Sequence, residues 1–181
     1  MVYLLLGTGF EEVEAVTPCD LLRRAGVDVR LIGINGSVVT GGHGIKVQCD
    51  GTLEDVELSQ AEMLILPGGL GGVASIRASE QAMSLIRSAY DAGIYVTAIC
   101  AAPTILGQLG IADGHLATCY PGMEEEMGEA VMVPETEAVQ DGKLITGTSA
   151  GCAIPFALQL ITALKGKDAA DKVADAIVYR R

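Results

Sequence analysis

The sequence predicts an α/β fold in which a mostly parallel sheet carries helices on both of its faces. Short apolar runs typical of buried strands alternate along the chain with longer amphipathic stretches typical of helices. Glycine follows several of these stretches, where it commonly ends a helix. We expect one domain over residues 1–181, because half of the 181 residues are apolar and suffice for one continuous core.

The first half of the chain begins with a strand over residues 2–6 and a helix over residues 10–25. Pro18 lies inside that helix and predicts a kink or a break, because proline has no backbone N–H to donate. Residues 27–32 predict the next strand. A hairpin is predicted around residues 41–44, because strand-like residues flank this glycine-rich segment on both sides, over 37–40 and 45–48.

The second half repeats the alternation of strands and helices. Strands are predicted over residues 63–66, 94–99, 130–133 and 143–146. Helices are predicted over residues 80–92, 102–109, 152–164 and 168–177. Ligands of such folds bind beyond the carboxyl ends of the strands. This rule directs attention to four segments: residues 7–14, 67–72, 100–103 and 146–152.

Composition excludes several classes of partner. The formal net charge of −11 argues against nucleic acid and against an anionic membrane surface, because both require basic residues. No apolar run approaches the roughly 18 residues of a membrane span. The first apolar run is also too short for a signal peptide. We therefore expect a cytoplasmic protein whose partner is a small neutral or electrophilic molecule, or another protein.

Five cysteines are present, an odd number with wide spacing and without a C-x-x-C pair, which predicts neither a disulfide framework nor a zinc site. We expect reduced thiols and no metal or cofactor. They are Cys19, Cys49, Cys100, Cys119 and Cys152.

Cys100 is the strongest candidate for a reactive thiol. It stands between a predicted strand and a predicted helix, and Ala98 and Ala102 provide the small neighbours that a tight nucleophile elbow needs. A helix N-terminus stabilises a thiolate, so we expect a lowered pKa for Cys100. The alternative is a buried core cysteine. Cys152 also opens a helix, after Ser149-Ala150-Gly151, although that approach equally suits a pocket wall.

The other candidates carry weaker signals. Cys119 is either structural or a resolving thiol for an oxidised Cys100. His43 either lines the site or lies in an exposed hairpin, and His115 follows a turn pattern. Cys19 and Cys49 are interpreted as structural. His43 and His115 are the only two histidines in the chain, and neither is clearly placed to pair with a thiol.

Two glycine-containing segments are candidates for ligand-binding loops. Gly7-Thr8-Gly9 resembles half of a dinucleotide fingerprint, but Glu12 occupies the third glycine position and would repel a pyrophosphate. Glu14, about one turn further along, is placed to point into the crevice. The run over residues 67–72 lacks the ending of a P-loop, so it is either a flexible turn or a backbone that approaches a ligand closely.

The assembled motifs resemble the ThiJ/PfpI superfamily, and specifically its DJ-1 branch, over nearly the whole chain. The matching segments are GFEEVEAVTPCDLLRRAGVDV, TLEDV, LILPGG, AICAAPTILGQLG, DGKLITGTSAG and PFALQLITALKG. The resemblance implies a flavodoxin-like three-layer sandwich and a homodimer. It maps the reactive cysteine of the family onto Cys100, and the protonated glutamate that hydrogen-bonds to its sulfur onto Glu14.

The same resemblance implies the rest of the site. The backbone amides of Gly69 and Ala101 become the oxyanion donors, which agrees with the effectiveness of preorganised N–H groups. Pocket residues are expected to be Gly68, Tyr120, Ser149, Cys119 and His43. Three departures from the family pattern matter. Ala101 replaces the histidine of protease-like relatives, Tyr120 replaces a histidine common in this branch, and His43 stands where the family has an arginine.

Three functions follow from this comparison. The first is a cofactor-free enzyme acting on reactive dicarbonyls such as methylglyoxal, with Cys100 as nucleophile and Glu14 as acid–base. The second is a redox sensor or stress-response binding protein, in which Cys100 is oxidised without turnover. The third is a glutamine amidotransferase or peptidase, which requires a histidine within reach of the thiol.

Overall fold

The computed structural model describes residues 1–180. The strands are β1 (Val2–Leu6), β2 (Val29–Gly33), β3 (Val38–Thr40), β4 (Lys46–Gln48), β5 (Gly51–Thr52), β6 (Met63–Leu66), β7 (Tyr95–Ile99), β8 (Leu116–Ala117), β9 (Val131–Met132), β10 (Ala138–Asp141) and β11 (Leu144–Gly147). The helices are α1 (Glu12–Arg24), α2 (Leu70–Arg77), α3 (Glu80–Asp91), α4 (Pro103–Gln108), α5 (Ala153–Lys165) and α6 (Lys167–Ala176).

The central sheet has seven strands in the order β10-β11-β7-β6-β1-β2-β5. Neighbouring strands are parallel except β10 and β11, which pair antiparallel at one edge. Two small sheets, β3-β4 and β8-β9, complete the strands of the described chain. The mostly parallel α/β fold predicted from the sequence is confirmed.

Two apolar clusters fill the space between the sheet and its helices. Strand β1 shows the alternation that separates them: Val2, Leu4 and Leu6 pack with α1, α5 and α6, whereas Tyr3 and Leu5 pack with α2, α3 and α4. All five side chains are essentially inaccessible to solvent. A strand covered on both faces is apolar at every position, which is why β1 reads as an uninterrupted apolar run.

Most predicted elements are present within one or two residues of their expected ends. β1 and β6 have the predicted bounds, and β3 and β4 form the predicted antiparallel hairpin. α1 continues through Pro18 without ending, so the alternative of a break there is wrong. Among residues 1–180, no helix has the length and apolarity needed to cross a bilayer.

Two elements near the site were missed by sequence reasoning. Helix α2 begins at Leu70, within the glycine run, where low helix propensity argued for a turn. Its glycines permit close packing: a Cβ on Gly72 would lie 2.8 Å from the Cα of Phe10. Edge strand β10 consists of partly buried residues without clear alternation, and it pairs only with β11. Tertiary contacts stabilise both elements.

Candidate functional site

Cys100 stands on the elbow between β7 and α4. Its φ angle is 65°, a left-handed conformation that is unfavourable for a residue with a Cβ. Its N–H donates to the Gly147 carbonyl at 2.9 Å, and its carbonyl accepts from the N–H of Tyr120 at 2.7 Å. These two hydrogen bonds tie the elbow to neighbouring segments. The predicted elbow is therefore present, and its side chain is partly exposed.

Glu14 lies beside the elbow on α1 and is fully buried. Its Oε2 accepts a hydrogen bond from the Gly68 N–H at 2.8 Å. Its Oε1 is buried, and no group among residues 1–180 meets it with full hydrogen-bond geometry. Burial raises the pKa of Glu14 to about 7, although contacts with Cys100 and Gly68 partly oppose the rise. Glu14 therefore gains and loses a proton near neutral pH.

Gly68 allows the carboxyl group and the thiol to approach each other. A Cβ at this position would lie 2.6 Å from Glu14 Oε2 and 2.8 Å from the Cβ of Cys100. Both distances are shorter than van der Waals contact, so a side chain here would push the two groups apart. The space that a side chain would occupy is instead part of the site.

The expected lowering of the Cys100 pKa is wrong. Burial, followed by the negative charge of Glu14 and the hydrogen bond to it, raises the pKa of the Cys100 thiol to about 12. The helix N-terminus contributes little because α4 has only six residues and begins three positions after the thiol. Each group in its ionised form disfavours ionisation of the other, so the pair titrates as a unit.

Two backbone amides act in the opposite direction on the same sulfur. The N–H groups of Ala101 and Gly69 hydrogen-bond to Cys100 and lower its pKa, although less than burial and Glu14 raise it. Gly69 has a φ angle of 84°, and a Cβ there would lie 2.5 Å from the carbonyl oxygen of Gly9. Glycine is thus required for this amide to reach the sulfur.

The glycine-rich segment over residues 67–72 packs closely against another backbone segment of the same chain. A Cβ on Gly71 would lie 3.0 Å from the Cα of Gly9, and a Cβ on Gly7 would lie 2.6 Å from the carbonyl oxygen of Gly72. The two glycine segments therefore pack against each other at the carboxyl edge of the sheet. In the sequence, each of these glycine segments follows a separate predicted strand. This pattern was the signal from which the contact could have been predicted.

The remaining predicted pocket residues differ in how they are placed relative to Cys100. Tyr120 is joined to Cys100 through its backbone N–H, and its side chain is half exposed. Ser149 lies after β11, with its Oγ 3.8 Å from the Cys152 sulfur. Cys119 is buried in the apolar cluster on one face of the sheet, whereas Cys100 contacts the cluster on the other face. Burial raises the pKa of Cys119 to about 11, which favours a structural role.

His43 is engaged by carboxylates at the start of α1. Its backbone N–H donates to Glu12 Oε1 at 2.7 Å, and its ring Nδ1 lies 2.9 Å from Glu12 Oε2 and 3.7 Å from Glu11 Oε2. Burial raises the pKa of Glu12, but the hydrogen bonds from His43 outweigh it and produce a net lowering. These three residues have ligand atoms close enough to hold a metal ion, although mutual hydrogen bonds already occupy them.

His115 lies in another part of the fold. Its Nε2 is 3.0 Å from the Tyr90 hydroxyl, and its Nδ1 is 3.2 Å from Asp141 Oδ2. The groups that act on the Cys100 thiol are Glu14, Ala101 and Gly69, and neither histidine is among them. The arrangement therefore differs from a thiol–histidine pair.

The parallel sheet is covered by helices on both faces, and a cysteine on a strand-to-helix elbow lies beside a buried carboxyl group. These features define a class of α/β proteins whose site is centred on one thiol. Within that class, the chain belongs to the DJ-1/PfpI family, whose profile matches residues 1–163.

Individual relatives cover almost the whole chain. Protein dj-1beta of Drosophila melanogaster is 36% identical over 177 residues, which are 97% of this chain and 95% of that protein. The crystal structure of Drosophila DJ-1beta superimposes with a TM-score of 0.94 at 35% identity, covering 99% of this chain and 98% of that one.

Two further relatives bear on function. A deglycase of Pyrococcus horikoshii is 33% identical over 146 residues, covering 80% of this chain and 87% of the relative. Toxoplasma gondii DJ-1 in an oxidised form has a TM-score of 0.93 at 29% identity, covering 99% of this chain and 98% of that one.

Proposed function

We propose that the protein is a glutathione-independent glyoxalase or deglycase-type enzyme that acts on methylglyoxal-like dicarbonyls. The observation that carries this proposal is the Glu14 carboxyl group, which is buried, contacts the Cys100 thiol and has a pKa raised to about 7. A general base works best when its pKa lies near the operating pH. The deglycase among the relatives supports the same chemistry.

In the first step, the Cys100 sulfur attacks the aldehyde carbon of methylglyoxal. A C–S bond forms, the carbonyl electron pair moves onto oxygen, and the thiol proton passes to the Glu14 carboxylate. The Gly69 and Ala101 amides, which already converge on the sulfur, stabilise the developing oxyanion. Glu14 then returns the proton to oxygen, and a hemithioacetal results.

In the second step, the Glu14 carboxylate removes the proton from the former aldehyde carbon and delivers it to the adjacent ketone carbon. The hydroxyl proton on the former aldehyde oxygen moves to the ketone oxygen. This isomerisation converts the hemithioacetal into a thioester of lactate. Water then attacks the thioester, lactate leaves, and the proton returns to the Cys100 sulfur. The sum is methylglyoxal plus water to lactate and a proton released to solvent, without a redox partner.

Consumption of methylglyoxal by wild type, Cys100→Ala and Glu14→Gln tests this proposal. We expect no turnover from Cys100→Ala and a loss of about 10²–10⁴-fold in kcat from Glu14→Gln, which is the usual size of an acid–base contribution. Cys152→Ala is the matched control, since it removes another partly exposed thiol near the same sheet edge. Wild-type turnover by Cys100→Ala would contradict the proposal.

The second candidate is a redox sensor in which Cys100 is oxidised to the sulfinic acid. Two equivalents of peroxide would be reduced to water, and a protonated Glu14 would donate a hydrogen bond to the product. The raised pKa of Glu14 and the oxidised Toxoplasma relative favour this alternative. Intact and peptide masses after mild peroxide test it: oxidation spread evenly over all five cysteines would contradict it.

The third candidate, an amidotransferase or peptidase, has no supporting contact between a histidine and Cys100.

We also infer a cytoplasmic homodimer. Five free cysteines fit a reducing compartment, and exposed Val13 and Val16 on α1 offer an apolar surface for a second copy. Sedimentation equilibrium on wild type and Val16→Glu tests the dimer: we expect a dimeric mass for wild type and a shift towards monomer for the variant.

A further inference from the structure

Two large, mostly apolar side chains on backbone segments that contact Cys100 are exposed. Leu70 is 75% exposed and Tyr120 is 49% exposed. Leu70 directly follows Gly69, whose amide hydrogen-bonds to the sulfur, and Tyr120 is held to the Cys100 carbonyl by its own amide. Two of the segments that contact the Cys100 elbow therefore each carry one exposed, largely apolar side chain.

Rigid backbone surrounds both residues. Leu70 is the first residue of α2, and the carbonyl of Gly69 accepts the N–H of Val73, so the first turn of the helix is formed. The carbonyl of Tyr120 accepts the N–H of Met123, which closes a turn after the residue. Leu70 and Tyr120 are therefore presented by ordered segments, and a group bound between them loses little of its binding energy to ordering the protein.

The charge near the site is negative. Glu11 acts electrostatically on Glu14, and an acidic 3-10 segment, Glu124–Met127, begins four residues after Tyr120. With a net charge of −11 on the whole chain, an anionic substituent on the substrate would be repelled. An uncharged apolar substituent would instead cover the exposed surface of Leu70 and Tyr120.

We propose that Leu70 and Tyr120 determine specificity, by holding between them the apolar substituent of the carbonyl compound that bonds to Cys100. The favoured substrates are then α-oxoaldehydes with an aryl or branched alkyl group, ahead of methylglyoxal and of anionic oxoacids. This assignment of substrate class rests on the proposed dicarbonyl activity. The recognition itself concerns any carbonyl electrophile that reaches the sulfur, so it can be measured without turnover.

Alkylation of Cys100 by two α-haloketones, phenacyl bromide and bromoacetone, separates recognition from catalysis. In both reactions the sulfur forms a bond to the methylene carbon, bromide leaves, and the thiol proton passes to the solvent. Rates are read from the mass of the Cys100 peptide and divided by the rates for N-acetylcysteine, which corrects for intrinsic reactivity. We expect wild type to prefer phenacyl bromide by about tenfold after this correction, the discrimination typical of a small apolar pocket.

Leu70→Ser and Tyr120→Ala should each reduce this preference several-fold, because each removes apolar surface that the phenyl group would cover. Val131→Ser is the matched control: Val131 is 51% exposed, and its amide is bound to the His115 carbonyl, away from the elbow. A corrected wild-type ratio near one would overturn the inference, as would ratios in both variants equal to that of wild type.

Turnover of phenylglyoxal and methylglyoxal by wild type supplies the second arm. A preference in alkylation without turnover of either aldehyde would support the recognition surface and contradict the proposed enzyme. Turnover of both aldehydes with no preference in alkylation would support the enzyme and overturn the role of Leu70 and Tyr120. We expect a higher kcat/KM for phenylglyoxal, carried mainly by a lower KM.

Discussion

Glu14 and Cys100 meet in the space that a side chain on Gly68 would occupy. The hypothetical Cβ lies 2.6 Å from the Glu14 Oε2 and 2.8 Å from the Cys100 Cβ. The carboxyl group is buried and the thiol is partly exposed, so the pair can exchange a proton internally while the sulfur faces a substrate.

Turnover should depend on the ionisation of Glu14. Because the carboxylate is the form that accepts the thiol proton, kcat/KM for methylglyoxal should rise with pH and level off above an inflection near the Glu14 pKa of about 7. In Glu14→Gln the inflection should disappear. His43 also titrates with a raised pKa, so His43→Ala is the control, and it should keep the inflection. A profile that falls with rising pH would contradict the base role of Glu14.

The stability of the fold should depend on the same proton. The Glu14 pKa is higher in the folded protein than the ordinary value of 4.5, so the folded state binds more protons between about pH 4.5 and 7. The stabilisation from protonated Glu14 is thus complete below about pH 4.5 and is lost as pH rises through about 7. The free energy of unfolding of Glu14→Gln, relative to that of wild type, should therefore increase by on the order of 3 kcal/mol from pH 4 to pH 8.

Urea unfolding of both proteins at several pH values measures this difference. Glu12→Gln is a control of opposite sign, because the Glu12 pKa is lowered. The stabilisation from ionised Glu12 is present above its unfolded pKa and is lost as pH falls through its folded pKa. The Glu12 variant should therefore lose more stability, relative to wild type, at pH 7 than at pH 4. A pH-independent effect of Glu14→Gln would show that burial does not raise its pKa.

Gly68→Ala should damage both stability and activity. Its Cβ would overlap Glu14 and Cys100, and overpacking of this kind costs about 1–3 kcal/mol. Displacing the carboxyl group from the thiol should also lower kcat. Gly151→Ala is the control for stability, because its nearest non-adjacent atom would be the Ser149 Oγ at 3.8 Å. Equal unfolding free energies for the two variants would contradict the crowding at residue 68.

The left-handed backbone of Cys100 should be detectable by comparing two inactive variants. Glycine adopts a φ angle of 65° without strain, whereas alanine retains a Cβ. Relief of this strain should make Cys100→Gly more stable than Cys100→Ala by about 1 kcal/mol. The larger conformational entropy of glycine in the unfolded chain reduces this difference. Thermal unfolding of the two proteins measures the difference. A less stable glycine variant would argue that the elbow is unstrained.

Local sequence patterns were sufficient for most of the fold. β1 and β6 are buried on both faces, so each is a short apolar run bounded by glycine or proline signals, and their bounds were predicted correctly. α2 was missed because Gly71 and Gly72 have low helix propensity, and packing against the first loop compensates for it. β10 was missed because it is a partly buried edge strand whose pairing partner defines it.

The sequence by itself determined the α/β class and the elbow at Cys100, because short-range periodicity and small neighbouring residues encode them. The amides of Gly69 and Ala101 were implied by the family resemblance and not by a local pattern. Only the tertiary structure decided the direction in which the pKa values of the carboxyl group and the thiol shift. Glu14 meets the Gly68 amide across 54 positions of the chain, and burial then raises the pKa values of both Glu14 and Cys100. Desolvation depends on everything packed around a group, so no local pattern could predict that the pKa of the thiol would be raised.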